Sequence, residues 1–187
     1  MLAVIRYCQG VTLLFPYASI KIILVDTLGF NDTIKSDTKV FTNICTWMSS
    51  NYKRGKFLSG IFYLHRITIV RIDGSSLKNL KMLQKMCDPD ALQNVFLTTT
   101  QCSKVNPALG EAHEGNLRHE GFWAGLISQG ASLERFMDTR ESGLDLITKL
   151  IEKEPKPLYT QDEMEVKGMA LVETEVGKFM SEELISL

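Results

Sequence analysis

Four segments predicted as strands alternate with four segments of helical periodicity along this chain. The predicted strands cover 22–25, 58–65, 94–100 and 132–137. The segments that follow them, in which apolar residues recur three or four positions apart, cover about 37–55, 75–88, 111–128 and 141–152. Because a helix between successive strands serves as a crossover, this order predicts an α/β fold: a mainly parallel sheet with helices on both faces and right-handed crossovers.

The first apolar run ends at an acidic residue. Residues Ile22 to Val25 are continuous and mostly β-branched, which predicts a strand buried on both faces, and Asp26 and Gly29 follow it. Ligands of open α/β sheets lie beyond the carboxyl ends of the strands. A carboxylate there can hold a hydrated magnesium ion, and a glycine lets backbone N–H groups approach a phosphate. The alternative, that Asp26 only starts a turn and caps a helix, is equally compatible with the pattern.

The first two helices have assignable ends. Ser36 or Asp37 is predicted to cap the first helix, and Ser75 or Ser76 the second, which Pro89 ends. Their predicted apolar stripes are Val40, Phe41, Ile44, Trp47 and Met48, and then Leu77, Leu80, Met82, Leu83 and Met86.

The later helices are predicted from longer patterns. A polar loop through Asn106, Pro107 and Gly110 precedes a helix predicted over 111–128. After the prolines at 155 and 157, residues 161–187 are predicted as one last helix that packs on the domain or pairs with a partner. The predicted division is a domain over 1–154 and a C-terminal helical extension over 155–187. Two short apolar runs within 2–15 are expected to form two edge strands or one hairpin.

Composition excludes several classes of function. Of 187 residues, 44% are hydrophobic and 23% are charged, which fits a globular domain with a core. There are 21 Lys and Arg against 22 Asp and Glu, so no basic field favours nucleic acid or a membrane surface. No apolar run approaches the ~18 residues of a membrane span. The four cysteines lack CxxC spacing and Arg6 interrupts the apolar start, so we expect reduced thiols and a cytoplasmic protein without a signal peptide.

Familiar catalytic motifs fail on spacing. His113 and His119 are six positions apart, whereas a zinc-protease helix needs its histidines four apart. Neither GxSxG nor a Cys–His pair at a family spacing occurs. Asp26, Thr99 and Lys104 resemble the phosphoacceptor site of receiver domains, but the acidic pair of such a site is missing. These motifs therefore predict neither zinc chemistry nor a nucleophilic enzyme.

An ordered series of blocks resembles a known family. The blocks are DTLGFNDT at 26–33, YLHRI at 63–67, NVFLTTT at 94–100, LRHEGFW at 117–123 and DTRESG at 138–143. They resemble the P-loop G-domain proteins common in fungal genomes, which are related by fold to septin-like and immunity-associated GTPases. The usual forms in that family are VLVDTPGFDDT, GIIYLHRI, VVLVTTMWD, an ELR…FW helix and a TRESA loop. The likeness covers roughly residues 20–187.

The resemblance implies a guanine-nucleotide site with magnesium. Asp26 matches the aspartate that holds magnesium through water, and Gly29 matches the glycine whose N–H senses the γ-phosphate. Residues 100–103 match the base-recognition segment, and 139–142 match the loop that closes over the base. The positions implied to bind nucleotide are Asp26, Thr27, Gly29, Thr100, Ser103 and Thr139.

Three departures from the family pattern weaken the implied site. The family domain begins with a strand, GxxxxGK[ST] and a helix, whereas 20 residues precede the DxxG strand here and none form that motif. Ser103 replaces the base-reading aspartate, and a serine cannot make the bidentate contact with guanine. Leu28 replaces the proline of DTPGF, which leaves that loop less pre-set.

Two functions follow as hypotheses. The first is a protein of the P-loop GTPase family, which the resemblance implies binds GTP and hydrolyses it in a full-length form. Here it is truncated or degenerate, and we expect weak or lost binding of magnesium and GTP and no hydrolysis by this chain alone. The second is a pseudo-GTPase that serves as an interaction module, through self-association or a protein partner at the C-terminal helix.

Overall fold

The computed structural model describes residues 2–3, 24, 37–54, 58–69 and 73–185. The strands are β1 (Leu2–Ala3), β2 (Ile61–Arg66), β3 (Val95–Thr100) and β4 (Ser132–Arg135). The helices are α1 (Asp37–Tyr52), α2 (Gly74–Met86), α3 (Pro89–Leu92), α4 (Pro107–Leu117), α5 (Ala124–Ser128), α6 (Arg140–Ile151), α7 (Tyr159–Glu165) and α8 (Glu175–Ile185). Two 3₁₀ turns, Cys102–Lys104 and Leu171–Glu173, complete the described elements.

The described strands form one sheet in the order β1-β2-β3-β4. Strands β2, β3 and β4 are parallel neighbours, with Tyr63 opposite Leu97 and Thr98 opposite Glu134. Strand β1 pairs antiparallel with β2, with Leu2 opposite Tyr63. The predicted α/β fold with a mainly parallel sheet is confirmed.

The two faces of the sheet bury different cores. Because side chains alternate along a strand, Tyr63 and Leu97 face the larger core, which α1 and α2 cover. Phe62 and Phe96 face the opposite side, where Phe96 packs with residues of α6. Strand β3 is therefore covered on both faces.

The first two helices follow the sequence pattern, but the cap of α2 does not. The predicted apolar residues of α1 lie in the core, with Trp47 partly buried. Helix α2 is capped by Asp73, whose carboxylate accepts from Ser76 N and Ser75 Oγ at 2.8 Å each, so the predicted serine caps are wrong. A carboxylate complements the positive helix start better than a hydroxyl does.

Proline positions and a turn divide the predicted later helices. Pro89 does not end α2 but begins α3, because a proline at the first helical position loses no hydrogen bond. Asn106 likewise caps α4 at Pro107, so the predicted loop through Gly110 is partly helical. The prediction of one continuous helix over 111–128 is wrong. Helix α4 ends at Leu117 and α5 begins at residue 124, and Gly121 between them has φ +88°.

The C-terminal segment folds back on the domain as two helices rather than one. Gly168, at φ +70°, lies between α7 and the second 3₁₀ turn, a backbone conformation that favours glycine. Helix α7 contacts α1, and α8 contacts α2. A Cβ at Gly177 would meet the Leu171 carbonyl oxygen at 1.9 Å, so a glycine there permits the close approach of α8 to the turn before it.

Part of the N-terminal prediction can be compared with the structure. Residues Leu2–Ala3 form a strand at the edge of the described sheet, and residues 4–15, which would distinguish two edge strands from a hairpin, lie outside the described residues. Of the predicted strand 22–25, only Leu24 is described; it lies in no strand and is 42% exposed, contrary to burial on both faces. The described partner at that edge of β2 is β1 instead. Asp26 and the loop after it lie outside the described residues.

Within the described ranges, no helix is long and apolar enough to cross a membrane.

Candidate functional site

The carboxyl ends of β2, β3 and β4 meet at one edge of the sheet, where ligands of α/β proteins bind. Ile67 follows β2, the turn from Gln101 to Ser103 follows β3, and Met137 to Thr139 follow β4. The first turn of α4 comes to the same edge. The chemistry of this edge rests on two carboxylates, Asp138 and Glu114.

Asp138 joins the turn after β3 to the connection after β4. Its Oδ2 accepts from Ser103 Oγ at 2.7 Å and from Ser103 N at 3.3 Å, and its Oδ1 accepts from Gln101 N at 3.3 Å. The hydrogen bond from the Ser103 hydroxyl, with those from the two amides, lowers the pKa of Asp138. Gln101 and Asp138 both have left-handed backbones, at φ 58° and 60°.

Glu114 holds a second, deeper cluster together. It accepts from Thr99 Oγ1 at 2.8 Å and from Arg135 Nε at 3.0 Å and Nη2 at 2.7 Å, a bidentate pair that ties α4 to β3 and β4. Burial alone would raise the pKa of Glu114, but the bonds from Arg135 and Thr99 hold it below its usual range. Those same bonds to Glu114 raise the pKa of Arg135.

Cys102 lies directly above this cluster. Its thiol is within 3.5 Å of Thr99 Oγ1 and 3.6 Å of the Thr99 carbonyl oxygen, and the residue is 7% exposed. Burial raises the pKa of the Cys102 thiol, which favours the protonated form over the reactive thiolate.

Two histidines fix the loop that leaves β2. His113 Nδ1 lies 2.8 Å from the carbonyl oxygen of Ile67, and His65 Nε2 lies 3.1 Å from that of Ile69. A carbonyl can only accept, so each of these ring nitrogens carries the proton. The His65 ring also packs edge-on against Trp123, with centroids 5.8 Å apart, and burial lowers the pKa of His65.

A small pocket lies between these clusters. Its volume is ≈ 180 Å³, below the roughly 300 to 1,000 Å³ of pockets that enclose a drug-sized ligand. It is mostly apolar, with a guanidinium, a thiol and a hydroxyl among its walls, so in this form it suits a fragment such as a ring rather than a whole nucleotide. Its lining residues are Ile67, Cys102, Ser103, Val105, Asn106, Pro107, Gly110, Arg135 and Met137.

No protein-family model, curated protein or solved structure matches this chain.

The structure places three of the six predicted nucleotide positions at this edge, with their side chains bound internally. Thr100 Oγ1 donates to the His65 carbonyl oxygen at 3.3 Å, and Ser103 Oγ donates to Asp138. Thr139 caps α6, its Oγ1 accepting from Ser142 N at 3.2 Å. Asp138 thus brings the Ser103 turn and the Thr139 loop together. The other three positions, Asp26, Thr27 and Gly29, lie outside the described residues.

The predicted magnesium position cannot be placed in the described structure, since it rests on Asp26. Among the residues that the structure does describe, no three His, Cys, Asp or Glu side chains are grouped so that they could hold a metal ion.

Sequence reasoning did not single out Asp138, Glu114 or Arg135 as site residues. Asp138 follows the end of a predicted strand at the ligand-binding edge, which is the same signal that drew attention to Asp26. Glu114 and Arg135 are 21 positions apart and belong to different elements, so no local spacing links them.

Proposed function

We propose that this chain is a G-domain-like protein of the P-loop GTPase class with a degenerate nucleotide site. It binds magnesium and guanine nucleotide weakly or not at all, and these 187 residues alone do not hydrolyse GTP. The observation that carries the proposal is the engagement of the Gln101–Ser103 turn by Asp138. By resemblance this turn is the base-recognition segment, and here its hydroxyl and two of its amides are already bonded within the chain.

The residue types at this turn support the same conclusion. A carboxylate at position 103 could accept two hydrogen bonds from guanine, whereas the serine present donates its hydroxyl proton to Asp138. The expected preference for GTP over ATP is therefore lost. These 187 residues also contain no GxxxxGK[ST] sequence. They therefore lack the lysine of that motif and the backbone amides with which its loop binds phosphate.

The loss of these hydrogen bonds to the nucleotide can be converted into an expected affinity. Hydrogen bonds to charged groups contribute about 1.5 to 3 kcal/mol each, and every 1.4 kcal/mol changes affinity about tenfold. Losing several of them weakens a nanomolar to micromolar site to about millimolar or worse.

The contacts of the C-terminal helix weigh against the interaction-module alternative in its simplest form. Val176 and Met180 are buried in the same core as Leu83, so they are not available to a partner. A cytoplasmic location is part of the proposal, supported by Cys45, Cys87 and Cys102, which are buried free thiols.

The test is calorimetric titration of the purified chain with magnesium-GTP and with magnesium-ATP, beside an active GTPase as a positive control. We expect affinities of about millimolar or weaker, without preference for guanine, and phosphate release no faster than in buffer. Micromolar, guanine-selective binding that Asp26→Ala abolishes would overturn the proposal.

A further inference from the structure

We infer that Asp138 is a latch: it fastens the turn after β3 to the connection after β4 and so closes the pocket at this edge. The opening of the pocket involves the same Asp138 contact as the proposed function, but it requires no nucleotide and is measured without one.

The latch is a contact between two parts of the chain that are distant in sequence. All three of its donors belong to the Gln101–Ser103 turn, and its acceptor lies 35 to 37 positions later. Asp138 and Ser103 are both exposed, so water competes for these hydrogen bonds and the contact can open and close.

The layer beneath the latch is built differently. The bidentate contact between Glu114 and Arg135 is more buried, with the Glu114 side chain 12% exposed, and it ties α4 to β4. Because none of its atoms belongs to the Gln101–Ser103 turn, that turn can lift without breaking this contact. At this edge the Glu114–Arg135 contact therefore stays in place while the Gln101–Ser103 turn can detach from Asp138.

Backbone conformation favours release once the carboxylate is gone. Gln101 is held at φ 58°, a region that side chains other than Gly, Asn and Asp seldom adopt. Such residues keep this conformation only where surrounding contacts fix them. Here the Gln101 amide is held by Asp138, and its carbonyl oxygen accepts from Lys104 N at 3.0 Å. The Gln101 side-chain oxygen also accepts from Thr68 Oγ1 at 3.4 Å, so loss of the Asp138 contact frees the amide and leaves the other two contacts in place.

The latch closes the wall of the pocket that contains Cys102. Cys102 and Ser103 on the turn, and Met137 beside Asp138, line the same pocket. Lifting the turn uncovers the Cys102 thiol and enlarges the pocket beyond its closed ≈ 180 Å³. A ligand larger than a single ring can then enter, so Asp138 controls access to the site.

The reactivity of Cys102 measures this opening. The test variant is Asp138→Gly, because glycine accepts φ 60° without strain and cannot accept the three hydrogen bonds of the latch. Native and variant chains are treated with iodoacetamide at slightly alkaline pH, and alkylation of each cysteine is timed by peptide mass spectrometry. We expect alkylation of Cys102 to be faster by about tenfold or more in the variant, which corresponds to about 1.4 kcal/mol or more in the opening equilibrium.

Cys45 and Cys87 serve as internal controls, because both are buried in the main core and report global unfolding. Their rates should be the same in both chains. Glu141→Gln is the matched control variant: it removes one negative charge from the exposed start of α6 and should leave Cys102 as slow as in the native chain.

A Cys102 rate in Asp138→Gly equal to the native rate would overturn the inference. If all three thiols react faster in that variant, Ser103→Ala decides, since Ser103 is exposed and its loss removes only the shortest bond of the latch. Ser103→Ala should speed alkylation of Cys102 several-fold and leave Cys45 and Cys87 unchanged. An unchanged Cys102 rate there also overturns the inference.

Discussion

At the residue scale, Asp73 shows how a single side chain stabilises a helix. Its carboxylate accepts from Ser76 N and Ser75 Oγ, and the Ser76 amide bond, with those from the serine hydroxyls, lowers the pKa of Asp73 to about 2. Replacing an N-cap by alanine typically costs about 1 kcal/mol. We predict that Asp73→Ala lowers the free energy of unfolding by that amount at neutral pH, measured by urea denaturation followed by circular dichroism.

The same residue predicts a pH dependence. The pKa of Asp73 is lower in the folded chain than its ordinary value of 3.8, so its ionised form stabilises the fold. That contribution is fully present above about pH 4 and is lost as the pH falls toward about 2. Asp73→Asn keeps a hydrogen-bond acceptor at the cap but cannot titrate, so its unfolding free energy should lie within about 1 kcal/mol below that of the native chain at neutral pH and should fall less on acidification. Equal acid sensitivity of the two chains would contradict the assignment.

At the element scale, Glu114 and Arg135 connect α4 to the sheet. Removing either one leaves the other charge partly buried and unpaired, which costs about 1–3 kcal/mol. We predict that Glu114→Gln and Arg135→Met are each destabilising, and that the double variant loses less than the sum by about 1–3 kcal/mol. Urea denaturation of the four chains of this double-mutant cycle measures the coupling.

The control for that cycle is a second ion pair on the same strand. Lys149 and Glu134 link α6 to β4 at 3.0 Å, but their side chains are more exposed, at 46% and 20%, than the 33% and 12% of Arg135 and Glu114. Exposed pairs typically contribute below about 1 kcal/mol. A coupling at Glu114 and Arg135 no larger than in this control would mean that the deeper pair does not hold α4 to the sheet.

Elements with strong local periodicity could be predicted from the sequence, whereas their interruptions could not. Helix α1 carries five apolar residues at helical spacing, and the core requires that face. The break between α4 and α5 does not interrupt the apolar pattern of the sequence, because Leu117 and Trp123 are buried in the same core. The intervening turn brings Trp123 N to 2.9 Å from the Leu117 carbonyl oxygen, so apolar residues recur across it as they would along one helix.

The candidate site also has a part that could be predicted from the sequence and a part that could not. That polar groups gather beyond the carboxyl ends of parallel strands follows from topology, so this general placement can be read from a sequence that predicts such a sheet. Which groups pair depends on tertiary contacts. Asp138 reaches Ser103 only because β3 and β4 are parallel neighbours in a fixed register, and neither residue has a local signature of that contact.

At the scale of the whole molecule, the C-terminal segment is part of the core. Met180 on α8 is 3% exposed and packs in the core cluster that also contains Leu83 of α2, whereas Val172 in the preceding turn is 68% exposed. Truncating a buried methionine typically costs about 2–5 kcal/mol, because lost burial adds to an unfilled cavity, and exposed substitutions stay within about 0.5 kcal/mol. We therefore predict that Met180→Ala lowers the unfolding free energy by about 2–5 kcal/mol and that Val172→Ala changes it little, in one cooperative urea transition. Equal and small effects of the two substitutions would mean that α8 is not packed on the domain and that its apolar side is free to meet a partner.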